Sequence, residues 1–394
     1  MSQAAPLTKS AGWTLWDLPF FDDRHRELAS RISEWAAANL KEHEEGGDVL
    51  GRARNLVRAF GEAGFLKHVV MEPGQQVEAR AACLLREAIA YYDILADDMF
   101  TMQGIGTAAI SKLGTSAQQA KYLPPAREGR TIAALALTEA KSGSDVASTA
   151  STAVRDGDSY VLNGEKAYIS NAGIADHYLV IARTGEGPGA RGLSVFLVDA
   201  DAKGLQVAPQ TPLIADHPIA NVTFVDCRVP VNAMVGAPGQ GFRAAMATLD
   251  VFRPSVGAAA VGAMRRAVAE TLERASAREM FGDRMNRLPA IQAIAADMAC
   301  DLETSALAVY RAAWGQDTGR GRATYEASIA KLVATEACGR VIDKAVQLFG
   351  GLGVTRGTVV ERLYREVRPM RIYEGASEVQ KLIIGRDLLN RVQA

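Results

Sequence analysis

The sequence predicts a multidomain α+β protein with a helical N-terminal domain, a middle β domain built as a barrel or sandwich, and a C-terminal four-helix bundle. Two changes in hydrophobic period predict this order. Apolar residues recur three and four apart up to about residue 128, alternate from 129 to 240, and return to helical spacing over 241–394. The length of 394 residues also suffices for two or three domains. We therefore predict domains at 1–128, 129–240 and 241–394.

Composition and charge exclude several classes of protein. Lys and Arg total 44 against 45 for Asp and Glu, a net charge of -1, so no basic surface for nucleic acid is predicted. The four cysteines form no C-x-x-C pair, so neither a disulfide framework nor a metal site is expected. The first 21 residues lack the pattern of a signal or transit peptide, and no apolar run is long enough to span a bilayer. We expect a soluble, cytoplasmic protein.

The N-terminal segment has the spacing of amphipathic helices. In LVRAFGEAGFL and ARAACLLREAIAYYDIL, apolar residues lie three and four apart among charged residues. The pattern predicts helices from about residue 23 to 127.

The middle segment alternates apolar and polar residues, as half-buried strands do. Within SYVLNGEKAYIS, Asn163-Gly164 separates two short β-rich runs. Because both residues tolerate a positive φ, the pair predicts the turn of a β-hairpin. LSVFLVDA and NVTFVDCRVP predict further strands.

Helical spacing returns in the C-terminal segment. Pro289 precedes a long series of apolar residues and suits the first turn of a helix. The glycines of QLFGG predict the end of another long helix. Several long helices joined by short loops favour a bundle.

One carboxylate near the C-terminus is a candidate catalytic base. In RIYEGASEVQ (371–380), Ser377 and Gln380 have the spacing of a capping box at the start of the last helix. Glu374 then lies in the loop that enters this helix, where burial would raise the pKa of its carboxyl group. A carboxylate at a helix start also simply stabilises the helix dipole. On the residues alone both interpretations stay open.

Six stretches together resemble the acyl-CoA dehydrogenase family, from about residue 85 to the C-terminus. They are LTEAKSGSDVAS (137–148), NGEKAYISNAG (163–173), GQGFRAAMATLDVFRP (239–254), REMFG (278–282), QLFGGLGV (347–354) and IYEGASEVQ (372–380). The family's order of domains matches the predicted one. The resemblance implies FAD as cofactor and an acyl-CoA thioester as substrate.

The resemblance also assigns residues to the cofactor. A Gly- and Ser-rich turn offers free N–H and hydroxyl groups to polar cofactor atoms, and a glycine lets the adenosine diphosphate approach closely. The residues so assigned are Leu137, Thr138 and Ser144 at the flavin ring and pyrophosphate, Tyr168 and Ser170 on one face of the isoalloxazine, Arg278 and Phe281 at the cofactor of a neighbouring subunit, and Gln347, Gly351 and Glu378.

The chain departs from the family at several of these positions. The family usually has Trp and Thr where this chain has Tyr168 and Ser170, and on the residues alone an alternating aromatic is more typical of a core. A flavin-binding Gln is replaced by Pro289, for which Gln292 is a candidate substitute, and a frequent Thr is replaced by Ala376. Pro289 and Ala376 predict a lower affinity for the flavin, whereas Tyr168 keeps the stacking in kind.

The resemblance assigns a second set of residues to the acyl-CoA. They are Ser144, Met246, Leu249, Asp250, Arg253, Tyr373 and Gly375. Asp250 and Arg253 lie three apart on one helix, so a structural ion pair is the alternative. Some members carry their base immediately before this Arg, but Phe252 stands there and cannot accept a proton. By resemblance, Glu374 is the base.

The acyl group stays open to short, branched, cyclic and aryl-propionyl classes. Four polar residues fall in the segment that in the family lines the acyl end of the pocket: Asp97, Asp98, Thr101 and Gln103. They either face the pocket or lie on the outer face of their helix. His217, in LIADHPIA, departs from the family's usual Gly-x-Arg-Gly-Ser pattern and indicates either a subgroup with unusual substrates or an ordinary loop histidine.

The implied reaction is an α,β-dehydrogenation to a trans-2-enoyl-CoA. Glu374 takes the α-proton, the β-hydrogen passes to the flavin as hydride, and the N–H of Glu374 with a ribityl hydroxyl polarises the thioester carbonyl. By resemblance the electrons then pass to an electron-transfer flavoprotein, and the protein is a homotetramer built as a dimer of dimers. Neither nucleic acid nor a membrane is an expected partner.

Other activities use the same fold. Flavin monooxygenases or oxidases of this kind generally lack or replace the Glu, so Glu374 counts against them. A DNA-binding relative carries an added basic region, which is not expected here. A non-catalytic flavoprotein scaffold is the remaining alternative.

Overall fold

The structure, a computed structural model, describes residues 18–40, 47–319 and 323–391. The prediction about targeting segments concerns residues 1–21, most of which lie outside this part. Helices fill the N-terminal segment as predicted: α1 (Asp23–Asn39), α2 (Val49–Glu62), α3 (Ala79–Tyr92), α4 (Ile94–Ile105), α5 (Ala108–Leu113) and α6 (Ser116–Arg127).

The middle segment forms a mixed sheet, which confirms the predicted β character. Its strands are β1 (Ala133–Ala136), β2 (Thr152–Asp156), β3 (Ser159–Ser170), β4 (His177–Arg183), β5 (Leu193–Asp199), β6 (Leu205–Val207), β7 (Ile219–Pro230) and β8 (Met234–Val235). The order across the sheet is β6-β7-β3-β2-β4-β5-β8, with β1 paired to β4. The β1–β4 and β2–β4 pairs are parallel and the others antiparallel.

The predicted hairpin turn at Asn163-Gly164 is wrong. Both residues lie inside β3, at a register shift against β7, and the turn falls earlier, where Asp156 pairs with Ser159. Gly164 is needed because its φ is 140° and a Cβ would lie 2.4 Å from Ser151 Oγ. A bulged strand and a hairpin turn both favour Asn-Gly, and only the pairing with β7 distinguishes them.

Long helices form the C-terminal segment. The elements are α7 (Gly241–Ala277), a short hairpin of β9 (Glu279–Met280) and β10 (Asp283–Arg284), α8 (Pro289–Asp317), α9 (Ala323–Phe349), α10 (Val359–Glu366) and α11 (Ser377–Asn390). Pro289 opens α8, and α9 ends just before Gly350, whose φ is 64°. Both boundary predictions are confirmed.

The chain packs as two compact units that differ from the three predicted segments. The helical unit comprises the described residues of Met1–Glu45, Glu78–Asp97 and Asp250–Ala394, and the β unit those of Gly46–Val77 and Asp98–Leu249. The boundary therefore falls within α4 and α7. The element type changes between Arg127 and Ala133 and again between Val235 and Gly241, while the domain limits at 128 and 240 stay predictions.

The helical unit has an alanine-rich core that lets its helices approach closely. Gly262 on α7 faces α3, where an added Cβ would lie 2.2 Å from the carbonyl oxygen of Glu87. The buried Glu87 carboxylate accepts from Arg265 Nε at 2.6 Å and from the Tyr310 hydroxyl at 2.5 Å. This ion pair and hydrogen bond join α3, α7 and α8.

The β unit has its own core, formed by apolar residues of the sheet such as Tyr178, Phe196 and Phe224. Within the described ranges, no helix combines the length and the apolar character that crossing a membrane requires. All four cysteines are free thiols; Cys83, Cys227 and Cys338 are buried, and Cys300 is exposed.

Candidate active site

Glu374 lies in a strained loop at the start of α11. Its φ is 51° and that of Gly375 is 92°, so two consecutive residues adopt the left-handed region, which costs a glutamate free energy. The side chain of Gln380 on α11 donates to the carbonyl oxygens of Glu374 and Gly375 at 3.3 and 2.9 Å. Lys331 Nζ on α9 donates to the Gly375 carbonyl at 2.9 Å. These bonds hold the loop in its strained conformation.

The predicted capping box at this helix is wrong. Ala376 is the N-cap residue and provides no side-chain cap. Ser377 donates instead to Glu336 Oε1 at 2.6 Å, and Gln380 is committed to the loop carbonyls. The spacing of Ser377 and Gln380 is that of a capping box, but both side chains bind groups outside the first turn of the helix instead.

The Glu374 carboxyl group is poised for proton transfer. Its Oε2 atom is buried and has no hydrogen-bond partner among the described residues. Burial raises the pKa of this carboxyl group; the cations Arg86, Lys331 and Arg253 lower it, and Asp97 raises it. Because the effect of burial prevails, the pKa lies above its usual range, as suits a general base near neutral pH.

Two of the surrounding charges, Arg86 and Asp97, pair with each other within the helical unit. Both side chains are fully buried, with 0% exposure each. Arg86 donates to the two carboxylate oxygens of Asp97 at 2.8 and 2.6 Å, which makes the pair bidentate. Arg86 also donates to Ser255 Oγ at 3.0 Å. Asp97 therefore lies in the interior, and the alternative that it occupies the outer face of α4 is wrong.

The other polar residues predicted near the acyl end of the pocket, Asp98, Thr101 and Gln103, belong to the β unit. Thr101 and Gln103 are buried, so the outer-face alternative is also wrong for them. Gln103 donates to the Thr131 carbonyl at 2.7 Å and accepts from the Ala133 N–H at 2.8 Å. It thereby fixes the start of β1.

Asp250 and Arg253 form the ion pair that their spacing predicted. Thr324 Oγ1 donates to the free side of Asp250 at 2.9 Å, and Arg253 Nε donates to the Glu374 carbonyl at 3.4 Å. Met246 and Leu249 lie on the same helix, α7, and Tyr373 and Gly375 flank Glu374. The pair is therefore a structural contact that also reaches the Glu374 loop.

On the β unit, the turn after β1 is tied to β3. Lys166 Nζ donates to Glu139 Oε1 at 2.8 Å and to the Leu137 carbonyl at 3.2 Å. Burial opposes the charge on Glu139, but Lys166 and the N–H groups of residues 150 and 151 lower its pKa to about 2. The N–H of Ala167 also donates to the Thr138 carbonyl at 2.9 Å. Thr138 is thus held beside the end of β3.

Tyr168 and Ser170 are accessible at that end of β3, while Ile169 between them is buried. Tyr168 has a φ of 55°, and 60% of its surface is exposed. The alternative that Tyr168 is a core residue is therefore wrong. Leu137 is buried, whereas Ser144 in the Gly- and Ser-rich turn is exposed. An exposed aromatic next to accessible hydroxyl groups fits a large planar ligand.

The helical unit carries a second accessible group. Phe281 is the first of two positive-φ residues in the β9–β10 turn and is 89% exposed. Arg278 immediately precedes this hairpin and is exposed, as are Gln347, Gly351 and Glu378. A Cβ at Gly351 would meet nothing within 4 Å, so the backbone there is open to a ligand.

A groove adjoins this group. It is lined by Glu270, Glu273, Arg274, Ala277, Arg278 and Phe349, so two arginines and two glutamates face it. The guanidinium carbon of Arg274 lies 4.9 Å from the centre of the Phe349 ring. The guanidinium group also donates to the backbone carbonyl of Phe349 at 3.1 Å. Burial and the neighbouring Arg278 lower the pKa of Arg274, because both disfavour its charged form. Gln292, the predicted substitute for the missing Gln, donates to the Asn286 carbonyl at 3.2 Å.

Sequence reasoning missed three contributors: Lys331, the Arg86–Asp97 pair and the Glu139–Lys166 pair. Lys331 had a recognisable signal, because it lies among the buried alanines 327, 330 and 334 of α9, and a lysine on an apolar helix face needs a partner. The two ion pairs join residues 11 and 27 positions apart, which exceeds the three- and four-residue spacing that predicts a pair within one helix.

Comparison with known proteins identifies similar domains along most of the chain. Family models of the acyl-CoA dehydrogenase N-terminal, middle and C-terminal domains match residues 22–130, 134–227 and 239–389. A probable acyl-CoA dehydrogenase of Mycobacterium leprae, fadE25, is 34% identical over 96% of this chain and 99% of its own length. The CarC subunit of the caffeyl-CoA reductase-Etf complex of Acetobacterium woodii is 39% identical over 71% of this chain and 74% of its own.

Solved structures agree with this similarity. Butyryl-CoA dehydrogenase from Megasphaera elsdenii superposes with a TM-score of 0.85 at 29% identity and covers 94% of this chain and 99% of its own. The FAD complex of PigA superposes with a TM-score of 0.86 at 26% identity, covering 94% of this chain and 99% of its own.

Proposed function

The chain belongs to the acyl-CoA dehydrogenase family, and we propose that it converts an acyl-CoA thioester to its trans-2-enoyl-CoA with Glu374 as the base. The family consists of FAD-dependent oxidoreductases. The observation that carries the proposal is the Glu374 carboxyl group, which has a raised pKa and an unpartnered, buried Oε2 atom.

Proton abstraction needs a base that is desolvated yet able to ionise. Complete burial without cations would hold Glu374 protonated, and unopposed cations would make the carboxylate too weak a base. Arg86, Lys331 and Arg253 counteract burial, and Asp97 limits their effect. This balance keeps the carboxyl group basic and still available as an anion.

The loop backbone contributes to positioning. Lys331 and Gln380 occupy the carbonyl of Gly375, and Arg253 and Gln380 occupy that of Glu374. These bonds hold the loop backbone, and we assign the Glu374 N–H to polarising the thioester carbonyl, in the manner of an oxyanion hole.

FAD, when bound, accepts the β-hydrogen as hydride. On the β unit, Leu137, Thr138, Ser144, Tyr168 and Ser170 would hold it. On the helical unit, Arg278, Phe281, Gln347, Gly351 and Glu378 would do so, with Arg278 as a fork for the pyrophosphate. The exposed aromatics, the open backbone at Gly351 and the groove that Arg278 lines support this assignment.

For the acyl-CoA, we assign Ser144, Met246, Leu249, Asp250, Arg253, Tyr373 and Gly375 to binding. Asp250 is already paired on both carboxylate oxygens, with Arg253 and Thr324. A substrate amide or hydroxyl would therefore meet a preorganised group at this point of α7.

Anaerobic titration with saturated acyl-CoAs of short, branched, cyclic and aryl-propionyl types tests the reaction. We expect one class to bleach the oxidised flavin band. If the protein carries flavin and no thioester bleaches it, the reaction is refuted and an oxidase, monooxygenase or scaffold function is favoured. The PigA complex, described with proline in a second structure, makes amine substrates the first alternative panel.

Substitution of Glu374 tests the base. Glu374→Gln should keep bound flavin and ligand affinity but lose at least about a hundredfold in turnover, because a general base contributes roughly 10² to 10⁴. Glu27→Gln, an exposed carboxylate on α1, is the matched control and should keep full activity. Near wild-type turnover in Glu374→Gln would exclude this residue as the base.

We also propose an electron-transfer flavoprotein as the electron acceptor and a homotetramer as the assembly. The CarC relative is named as part of an Etf complex, and a phenylalanine 89% exposed at a hairpin tip suggests a subunit contact. Reduction of a purified electron-transfer flavoprotein by substrate-reduced protein tests the acceptor. Sedimentation of wild type and Phe281→Asp tests the assembly, and a monomeric wild type would refute it.

A further inference from the structure

A serine, a histidine and a carboxylate form a hydrogen-bonded chain in the β unit. His217 Nε2 lies 2.8 Å from Ser170 Oγ, and His217 Nδ1 lies 3.1 Å from Asp98 Oδ2. The side chains of His217 and Asp98 are 15% and 16% exposed. The order is the one in which a carboxylate orients an imidazole and the imidazole governs a hydroxyl group.

The three residues come from separate parts of the β unit: Asp98 from α4, Ser170 from β3, and His217 from the segment before β7. Ser170 ends β3 and pairs with Ile219 of β7, two residues beyond His217. The N–H of Asn171 donates to the Pro218 carbonyl at 2.8 Å. Asp98 lies on α4. The contacts at Pro218 and Ile219, directly after His217, therefore hold this segment beside the end of β3.

The roles of the two imidazole nitrogens set the direction of each bond. Asp98 as a carboxylate can only accept, so His217 Nδ1 donates to it. In the tautomer with hydrogen on Nδ1 alone, Nε2 is an acceptor, and Ser170 donates its only hydroxyl hydrogen to it. Toward its other side, Ser170 Oγ presents lone pairs alone.

A nucleophilic function for Ser170 lacks the groups it would need. The N–H groups of Asn171 and Ala172, which follow the serine, donate to the carbonyls of Pro218 and Ile169. They are not available as oxyanion-hole donors, which acyl transfer requires. The chain of hydrogen bonds therefore serves to orient the hydroxyl group.

We propose that His217 and Asp98 are positioning residues that make Ser170 Oγ a hydrogen-bond acceptor toward the reactive nitrogen of bound flavin. This inference rests on the proposed function, which puts Ser170 at the flavin. That ring nitrogen accepts a hydrogen bond in oxidised flavin and carries a hydrogen in reduced flavin. An acceptor at Ser170 therefore stabilises the reduced form and raises the midpoint potential.

Spectroelectrochemical titration of the holoprotein tests the inference at a fixed neutral pH. Asp98→Asn no longer fixes the imidazole tautomer, because an amide both donates and accepts. His217→Gln removes the imidazole, and Ser170→Ala removes the acceptor. Each should shift the ratio of oxidised to reduced flavin at least tenfold toward the oxidised form, a fall of about 30 mV for a two-electron couple. Ser170→Thr keeps the hydroxyl and should keep the wild-type potential, as should the exposed control Asp201→Asn.

A double variant separates positioning from a general structural effect. If His217 acts through Ser170, His217→Gln combined with Ser170→Ala should have the potential of Ser170→Ala alone, because the two effects cannot add. If His217→Gln does not fold, the nearly isosteric Asp98→Asn carries the test by itself. Additive shifts, or unchanged potentials in both Asp98→Asn and His217→Gln, would overturn the inference.

The outcomes also distinguish this inference from the proposed function. A wild type that is bleached by an acyl-CoA, with potentials unchanged in the Asp98 and His217 variants, leaves the dehydrogenase function intact and refutes the positioning function. A wild type without bound flavin refutes both.

Discussion

Replacing the buried Lys331 with methionine should stabilise the protein at neutral pH. The ammonium group is fully buried, and burial lowers the pKa of Lys331 from 10.5 to about 8. One pKa unit corresponds to about 1.4 kcal/mol, so the charged form costs the folded state about 3 kcal/mol at pH 7. Methionine has a similar length and no charge. The Gly375 carbonyl keeps its bond from Gln380 at 2.9 Å.

The sign of the pH dependence follows from the lowered pKa. Below about pH 8, Lys331 is protonated in both the folded and the unfolded protein, and the full cost of burying its charge applies. Between pH 8 and 10.5 the folded protein has lost this proton while the unfolded chain still holds it, so the stability of the wild type rises with pH. The stability difference between variant and wild type should therefore fall from about 3 kcal/mol at pH 7 to about 1.5 kcal/mol at pH 9.5.

Urea unfolding at these two pH values measures the effect. The comparison is best made in the Glu374→Gln background, so that the titration of that carboxyl group does not enter. Because Glu374 raises the pKa of Lys331, its removal should make the gain at least as large. A methionine variant that is less stable than its parent at pH 7, or a difference that does not change with pH, would refute the reasoning.

Three further predictions concern the base, the β-unit ion pair and the bulge. The ratio kcat/KM should fall as the pH drops through the pKa of Glu374, which burial raises above 4.5; a pH profile that stays flat down to pH 4.5 would contradict this. Glu139→Gln should lose about 3 kcal/mol at pH 7, since the pKa of about 2 stabilises the folded state above pH 4.5, and thermal melts should converge with wild type near pH 2. Gly164→Ala should cost at least about 3 kcal/mol, because its φ is 140° and Ser151 occupies the space. The control Gly157→Ala, with φ of 60° and open surroundings, should cost only about 1 kcal/mol by urea unfolding; equal losses would refute the packing argument.

Local sequence determined the elements of the fold and their order. The periods of 3.6 and 2, the proline that opens α8 and the glycine that ends α9 act over a few residues, so they could be interpreted without knowing distant contacts. The motifs around residues 137–148 and 372–380 likewise predicted which segments carry the candidate site. The prediction that Glu374 is the base came from family resemblance rather than from spacing.

Only the tertiary structure decided the pairings and the electrostatics. The bulge at Asn163-Gly164 depends on β7, about 60 residues further along the chain. The pKa of Glu374 depends on charges at residues 86, 97, 253 and 331, which four different helices supply. The hydrogen-bonded chain of Ser170, His217 and Asp98 has the same origin. Burial and Coulomb interactions depend on distance in space, and for these groups separation along the chain carries no information about that distance.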